Sequence, residues 1–98
     1  MEPNEAALSK LVFNAQHRLA VADVFIEDAT ALLQYEEVAE RARVGRSVAH
    51  KELSVFVTIG AVNRLTPGRF VYYQRAESEF WSFCADLIRR SRARSVIG

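Results

Sequence analysis

Between Tyr35 and Arg75 the chain changes its hydrophobic period once and is punctuated by glycine three times, an order that few folds accommodate. Tyr35 to Ala42 reads as a short helix, with Val38, Ala39 and Ala42 inward and Glu36, Glu37, Glu40 and Arg41 outward. It is expected to end near Gly45, which takes a left-handed conformation cheaply. Ser47 is a good cap for a second helix, because its hydroxyl can accept a hydrogen bond from an unpaired amide at the helix start. Ala49, Leu53 and Phe56 or Val57 give that helix an inward stripe, and Gly60 gives it a stop. After Gly60, the stretches Ala61 to Leu65 and Phe70 to Arg75 are rich in Val, Phe and Tyr, with Thr66, Pro67, Gly68 and Arg69 between them. Pro67 presets the first central position of a type II turn and Gly68 supplies the positive φ of the second, which predicts a two-stranded hairpin.

A different reading of the middle competes with this one. Leu53, Val55, Val57, Ile59 and Ala61 also alternate at period two, and Val55 to Ile59 are poor helix formers. A strand there would pair with Phe70 to Arg75 and build a longer hairpin, the frame of an α+β enzyme or ligand-binding domain. The helix is favoured because Gly45, Ser47 and Gly60 punctuate a helix of ordinary length and the later hairpin is complete without it.

The flanks are helical. From Glu5, the residues Leu8, Leu11, Val12, Ala15 and Leu19 recur every three to four positions, so one or two helices open the chain. His17 to Glu27 is apolar around so much of its circumference that it belongs at the centre of the core, with His17 a helix-boundary residue. Asp28, Ala29 and Thr30 break it. Glu77 to Arg90 carries Phe80, Trp81, Cys84, Leu87 and Ile88 at helical spacing, with acids at its start and arginines at its end, as the helix dipole prefers. Ser91 to Gly98 is basic and is expected to fray.

Ninety-eight residues make one domain with a modest core. The most apolar stretch, Ala20 to Leu33, is interrupted by Asp23, Glu27 and Asp28, so no membrane span is expected. The amino terminus has no apolar signal core, which makes a cytoplasmic location the expectation. Cys84 is the single cysteine and there are two histidines, too few soft ligands for a disulfide scaffold or zinc finger. Cys84 lies in an apolar helical stripe, where a buried structural thiol is expected rather than a redox switch. No cofactor or metal is expected, and no catalytic residue: there is no Gly-rich phosphate loop, no His-Glu-x-x-His, and no nucleophile, His and acid that local spacing brings together.

Charge is divided unevenly along the chain. Residues 1 to 42 hold Lys10, Arg18 and Arg41 against eight acids, whereas residues 43 to 98 hold ten basic residues against Glu52, Glu77, Glu79 and Asp86. Such asymmetry points the second half at a polyanion.

Two short helices joined around a glycine and followed by a hairpin have the order of a winged helix-turn-helix, and Arg18 to Arg75 resembles the ArsR type of transcription regulator. Arg18-Leu19-Ala20-Val21 is similar to that family's Arg-Leu-x-Ile core helix, and Glu37-Val38-Ala39-Glu40-Arg41 to its Glu-Leu-Ala-Glu-Arg segment. Val44, Ser47, Ala49, Leu53, Gly60 and Val62 fall without a gap at the spacings of its Leu-Ser-x-Ser-x-Val-Ser-x-x-Leu…Gly-Leu-Val pattern. Tyr72 and Tyr73 sit where the second wing strand carries its aromatic. The chain departs from the family at Gln34, a weak helix cap, at His50 in place of serine, and at Val57, Thr58 and Ile59 in place of charged residues. The cysteine and histidine positions that sense metal in that family are not matched.

The expected fold is mainly α with a small β-hairpin: about five helices and a two-stranded wing, forming one domain over residues 1–98. The resemblance implies a DNA-binding transcriptional regulator, a repressor acting on a palindromic operator as a homodimer, through recognition helix 47–59 and wing 62–75. Arg46, Ser47, His50 and Lys51 begin the exposed face of that helix and are candidates for base and phosphate contact; Arg43 lies in the turn, and Arg64 and Arg69 flank the wing. Residues 1–16 and 77–92 are the expected dimerisation helices, with Leu8, Leu11, Val12, Phe80, Trp81, Cys84, Leu87 and Ile88 at the interface. The alternative is a winged-helix module that binds protein and lacks sequence-specific DNA binding.

Overall fold

A computed structural model describes the backbone of residues 3–97 and the side chains of residues 5–93; the ends of the expected 1–98 domain lie outside these. Its described elements are α1 (Pro3–Phe13), α2 (Arg18–Glu27), α3 (Tyr35–Ala42), α4 (Arg46–Thr58), β1 (Val62–Leu65), β2 (Tyr72–Arg75) and α5 (Glu79–Ile97). The mainly α architecture with a two-stranded antiparallel hairpin is therefore as expected.

Two helices open the chain because Asn14 takes a left-handed conformation (φ 55°) and its amide closes α1 on the Lys10 carbonyl. Buried Ser9 stitches the corner: its hydroxyl donates to the Ala15 carbonyl and accepts the Leu19 amide. Helix α2 is the central rod, with Leu19, Ala20, Val21, Ala22, Val24 and Phe25 all buried, and it contacts α1, α3, α4 and α5. An apolar circumference demands neighbours on every side, and here it has them.

Helix α4 forms where the competing strand reading placed β structure. Leu53 and Phe56 are fully buried at helical spacing, while Ser54 and Thr58 donate their hydroxyls back to the carbonyls of His50 and Ser54. Burying that stripe outweighs the weak helix propensity of Val55 and Val57. Gly60 then stops the helix as expected: at φ +79° its amide bonds the Val57 carbonyl, and the Ala61 amide bonds that of Phe56.

The turn between α3 and α4 uses the same closure with a different residue. Arg43, not Gly45, takes the left-handed conformation (φ 58°, ψ 46°); its amide bonds the Glu40 carbonyl, and the Val44 amide reaches Ala39. Gly45 is extended (φ −66°, ψ 156°) and caps α4, accepting the Ala49 amide on its carbonyl. Ser47, expected as the cap, therefore lies inside the first turn of α4. Gln34 gives no side-chain cap to α3, in keeping with its weakness in that role.

The hairpin pairs Val62 with Arg75 and Leu65 with Tyr72. Its loop, residues 66–71, is longer than the expected type II turn, and Gly68 is not among the positive-φ residues, so the Pro67-Gly68 pair does not close it. The wing is held instead at its root. Leu33, just before α3, exchanges two backbone hydrogen bonds with Tyr73, at 2.9 and 2.7 Å. The Trp81 indole donates to the carbonyls of Ala61 and Ala76, both at 3.0 Å, while its ring packs on Phe25 and Phe56.

Helix α5 continues to Ile97 and does not fray at Ser91. Arg92 explains part of this, because it bonds Glu5 of α1 and Asp23 of α2, each at 2.8 Å. The same helix corrects the expected dimer surface. Trp81, Cys84 and Ile88 are buried within the chain's own core at 4% exposure or less, because α5 turns that stripe toward α2. Leu8, Phe80 and Leu87 are half-buried, whereas Leu11 (82% exposed), Val12 and Phe83 (49%) remain open.

Candidate nucleic-acid interface

The inward residues of α4 are Ala49, Glu52, Leu53 and Phe56, so the opposite side of the helix presents Ser47, His50, Lys51, Ser54 and Thr58 to solvent. Arg46 is exposed at its first residue. His50 rests edge-on against the Tyr35 ring of α3, with centroids 5.7 Å apart. Beside the helix a groove of about 330 Å³ is lined by His50, Ser54, Val57, Thr58, Arg64 and Tyr73. Arg64 on β1 is thereby brought to the outer face of α4. Arg69 is exposed in the wing loop, its guanidinium 5.7 Å from the Phe70 ring.

Arg43 is placed differently. It is exposed in the turn, but it borders a second, polar cleft of about 550 Å³ with Glu5, Ala20, Asp23, Glu27, Arg41, Ala42 and Arg92. Most charges there are already matched, Arg92 by Glu5 and Asp23, and Arg41 by Asp28 at 3.3 Å. Burial lowers the Arg92 pKa, but the two carboxylates more than offset it and hold the guanidinium above its ordinary value.

Among the described residues most cations fall into two sets; of the other two, Lys10 is exposed on α1 and enters no ion pair, and Arg75 donates to the Phe25 carbonyl with its guanidinium over the Trp81 ring. Arg18, Arg41, Arg89, Arg90 and Arg92 each pair with a carboxylate. Among the described residues, Arg43, Arg46, Lys51, Arg64 and Arg69 enter no ion pair, and all five are exposed. Unneutralised charge beside an exposed helix, which B-DNA's major groove is wide enough to admit, is what phosphate contact requires. Side-chain placement for Arg94 lies outside the described residues.

One supporting residue escaped the sequence reading. Glu52 is buried on the inner side of α4, where Arg18 of α2 meets it with Nε at 2.7 Å and Nη2 at 3.2 Å. Its signal was present: an acid three residues after Ala49 and four before Phe56 falls on the apolar stripe and demands a cation. Cys84 is fully buried, and burial pushes its thiol up to about 12, with Arg18 pulling weakly the other way. The described residues contain no group of three or more His, Cys, Asp or Glu placed to hold a metal ion, and no helix long and apolar enough to cross a membrane.

This arrangement of helices and wing is a winged helix-turn-helix. Solved structures share it: a MarR family protein from Bacillus stearothermophilus (TM-score 0.66, 11% identity, over 90% of this chain and 61% of that one), and the multiple antibiotic-resistance repressor MarR of Listeria monocytogenes (0.57, 15%, over 91% and 57%). The chain thus spans about 60% of the length of these regulators. Human N-acetylserotonin methyltransferase also matches (0.53, 16%, over 82% of this chain and 25% of that one), so the fold is built into an enzyme as well. No family model and no curated protein sequence matches the chain. Two of the similar structures are described as MarR proteins, and the ArsR likeness rests on the sequence motifs alone.

Proposed function

We propose that this chain is a DNA-binding transcriptional regulator that represses by occupying a palindromic site as a homodimer in the cytoplasm. The carrying observation is the clustering of unpaired cations: Arg18, Arg41, Arg89, Arg90 and Arg92 are matched by carboxylates, whereas of the exposed cations that enter no ion pair all but Lys10 lie on α4, the turn before it or the wing, where a polyanion can meet them together. Arg46, His50 and Lys51 would meet base edges, Ser47 a phosphate near the start of α4, and Arg43, Arg64 and Arg69 phosphates. The likeness to a structure described as a repressor supports the sign of regulation. Exposed Leu11, Val12 and Phe83 on α1 and α5 would meet their copies in the partner, setting two α4 helices about 34 Å apart along DNA.

The test is selection of bound sequences from random duplexes, followed by titration of the selected and a scrambled duplex at several salt concentrations. Arg46→Ala and Lys51→Ala should each lose about 1 to 3 kcal/mol of discrimination. Arg64→Ala and Arg69→Ala should weaken both duplexes alike and lower the salt slope by about one counterion each. If no sequence is recovered and every variant behaves as wild type, this surface does not bind DNA and the protein-binding alternative replaces it.

A further inference from the structure

The wing loop carries a large apolar side chain that the fold does not use. Phe70 is 54% exposed and lies beyond Leu65 and Tyr72, the outermost paired residues of the hairpin. Phe13, Phe25, Phe56 and Phe80, by contrast, all engage other aromatic rings. The neighbour of the Phe70 ring is the unpaired Arg69 guanidinium. The loop therefore offers a flat apolar ring and a free cation side by side, and the chemistry that fits both is a stack of bases edged by phosphate.

We propose that Phe70 is a wedge that enters the base stack from the minor groove while Arg69 holds the flanking phosphate. This rests on the DNA reading of the α4 face. Inserting a ring demands a support that does not yield, and the wing root supplies one: the Trp81 indole grips the carbonyls of Ala61 and Ala76, and Leu33 is bonded twice to Tyr73. Pro67 further restricts the loop. Partial unstacking costs least at pyrimidine-purine steps, so the wedge gives the protein a sequence preference at positions where it makes no hydrogen bond to a base.

The experiment uses the duplex recovered by selection, probed with permanganate, which oxidises thymines that have lost their stacking. Bound wild type should raise thymine reactivity at a pyrimidine-purine step flanking the α4 footprint. Phe70→Ala, checked for native circular dichroism, should return reactivity to the free-duplex level and weaken binding about five- to fifty-fold. Phe70→Leu, which keeps an apolar wedge, should retain the reactivity; Arg69→Ala should weaken binding and leave the reactivity in place. Bound wild type with no added reactivity, or equal reactivity for wild type and Phe70→Ala, overturns the wedge and leaves the DNA reading standing. Recovery of no duplex in the selection overturns the DNA reading, and the wedge falls with it.

Discussion

The Arg18 guanidinium grips both oxygens of the Glu52 carboxylate, 34 positions away, and so ties the inner side of α4 to the central helix α2. Both side chains are largely withdrawn from water, at 16% and 5% exposure. Removing one partner leaves the other charge unpaired in the core. Glu52→Ala should therefore destabilise the fold by about 2 to 4 kcal/mol in urea denaturation, while Arg18→Met with Glu52→Leu should recover most of that loss. A double variant as unstable as the single one would show that the pair itself, and not the orphaned charge, is what matters.

Arg43 and Gly60 close their helices in the same way, yet only one is a glycine. Arg43→Gly relieves a left-handed side-chain residue and should stabilise the protein by about 1 kcal/mol, whereas Gly60→Ala introduces that strain and should cost about 1 to 2 kcal/mol. No neighbour stands within 4 Å of a Cβ at Gly60, so its cost is purely backbone. Thermal melts of the two variants should shift in opposite directions. Arg43→Gly should also lower DNA affinity, separating the charge from the turn.

Cys84 supplies a pH dependence with a definite sign. Its thiol is pushed from 9.0 to about 12 in the fold, so the native state keeps a proton that the unfolded chain gives up first. The stabilising contribution is complete below pH 9.0 and is lost as pH rises toward about 12. Unfolding free energy should fall over this range and fall less steeply in Cys84→Ala. Iodoacetamide should label Cys84 only as fast as the protein opens.

Self-association can be tested on the open part of the outer helices. Leu11→Glu with Phe83→Glu should convert a dimer to a monomer in sedimentation at micromolar concentration without loss of helical signal, since both side chains are exposed. Trp81→Glu should instead unfold the protein, because that ring is 1% exposed and its indole is bonded within the chain. A wild type that sediments as a monomer throughout rejects the homodimer.

The order of elements was legible because each is written in local chemistry: the apolar circumference of α2, the stripe of α4, the left-handed stop at Gly60 and the aromatic strands of the wing. What local chemistry cannot show is which of several adequate residues carries a constraint. The α3 closure fell two residues before Gly45, on Arg43, because hydrogen bonds to Ala39 and Glu40 fix the position where the strain is borne. An apolar stripe looks alike whether it faces a core or a partner, so Trp81, Cys84 and Ile88 could not be told from Phe83 by spacing. The basic residues of the candidate interface were all found exposed where the motif placed them, but that Arg43 opens toward the polar cleft depends on packing between helices far apart in sequence.

Because one indole nitrogen spans the carbonyls at both feet of the hairpin, the direction in which the wing projects is fixed from α5, below it, while how far it projects is left to the loop of residues 66–71. Aim and reach are thus independent variables. Insertions or deletions in that loop would lengthen or shorten the arm along an unchanged bearing, and Trp81→Phe, which keeps a ring in the core but removes the indole N–H, would loosen that bearing without altering the arm's length.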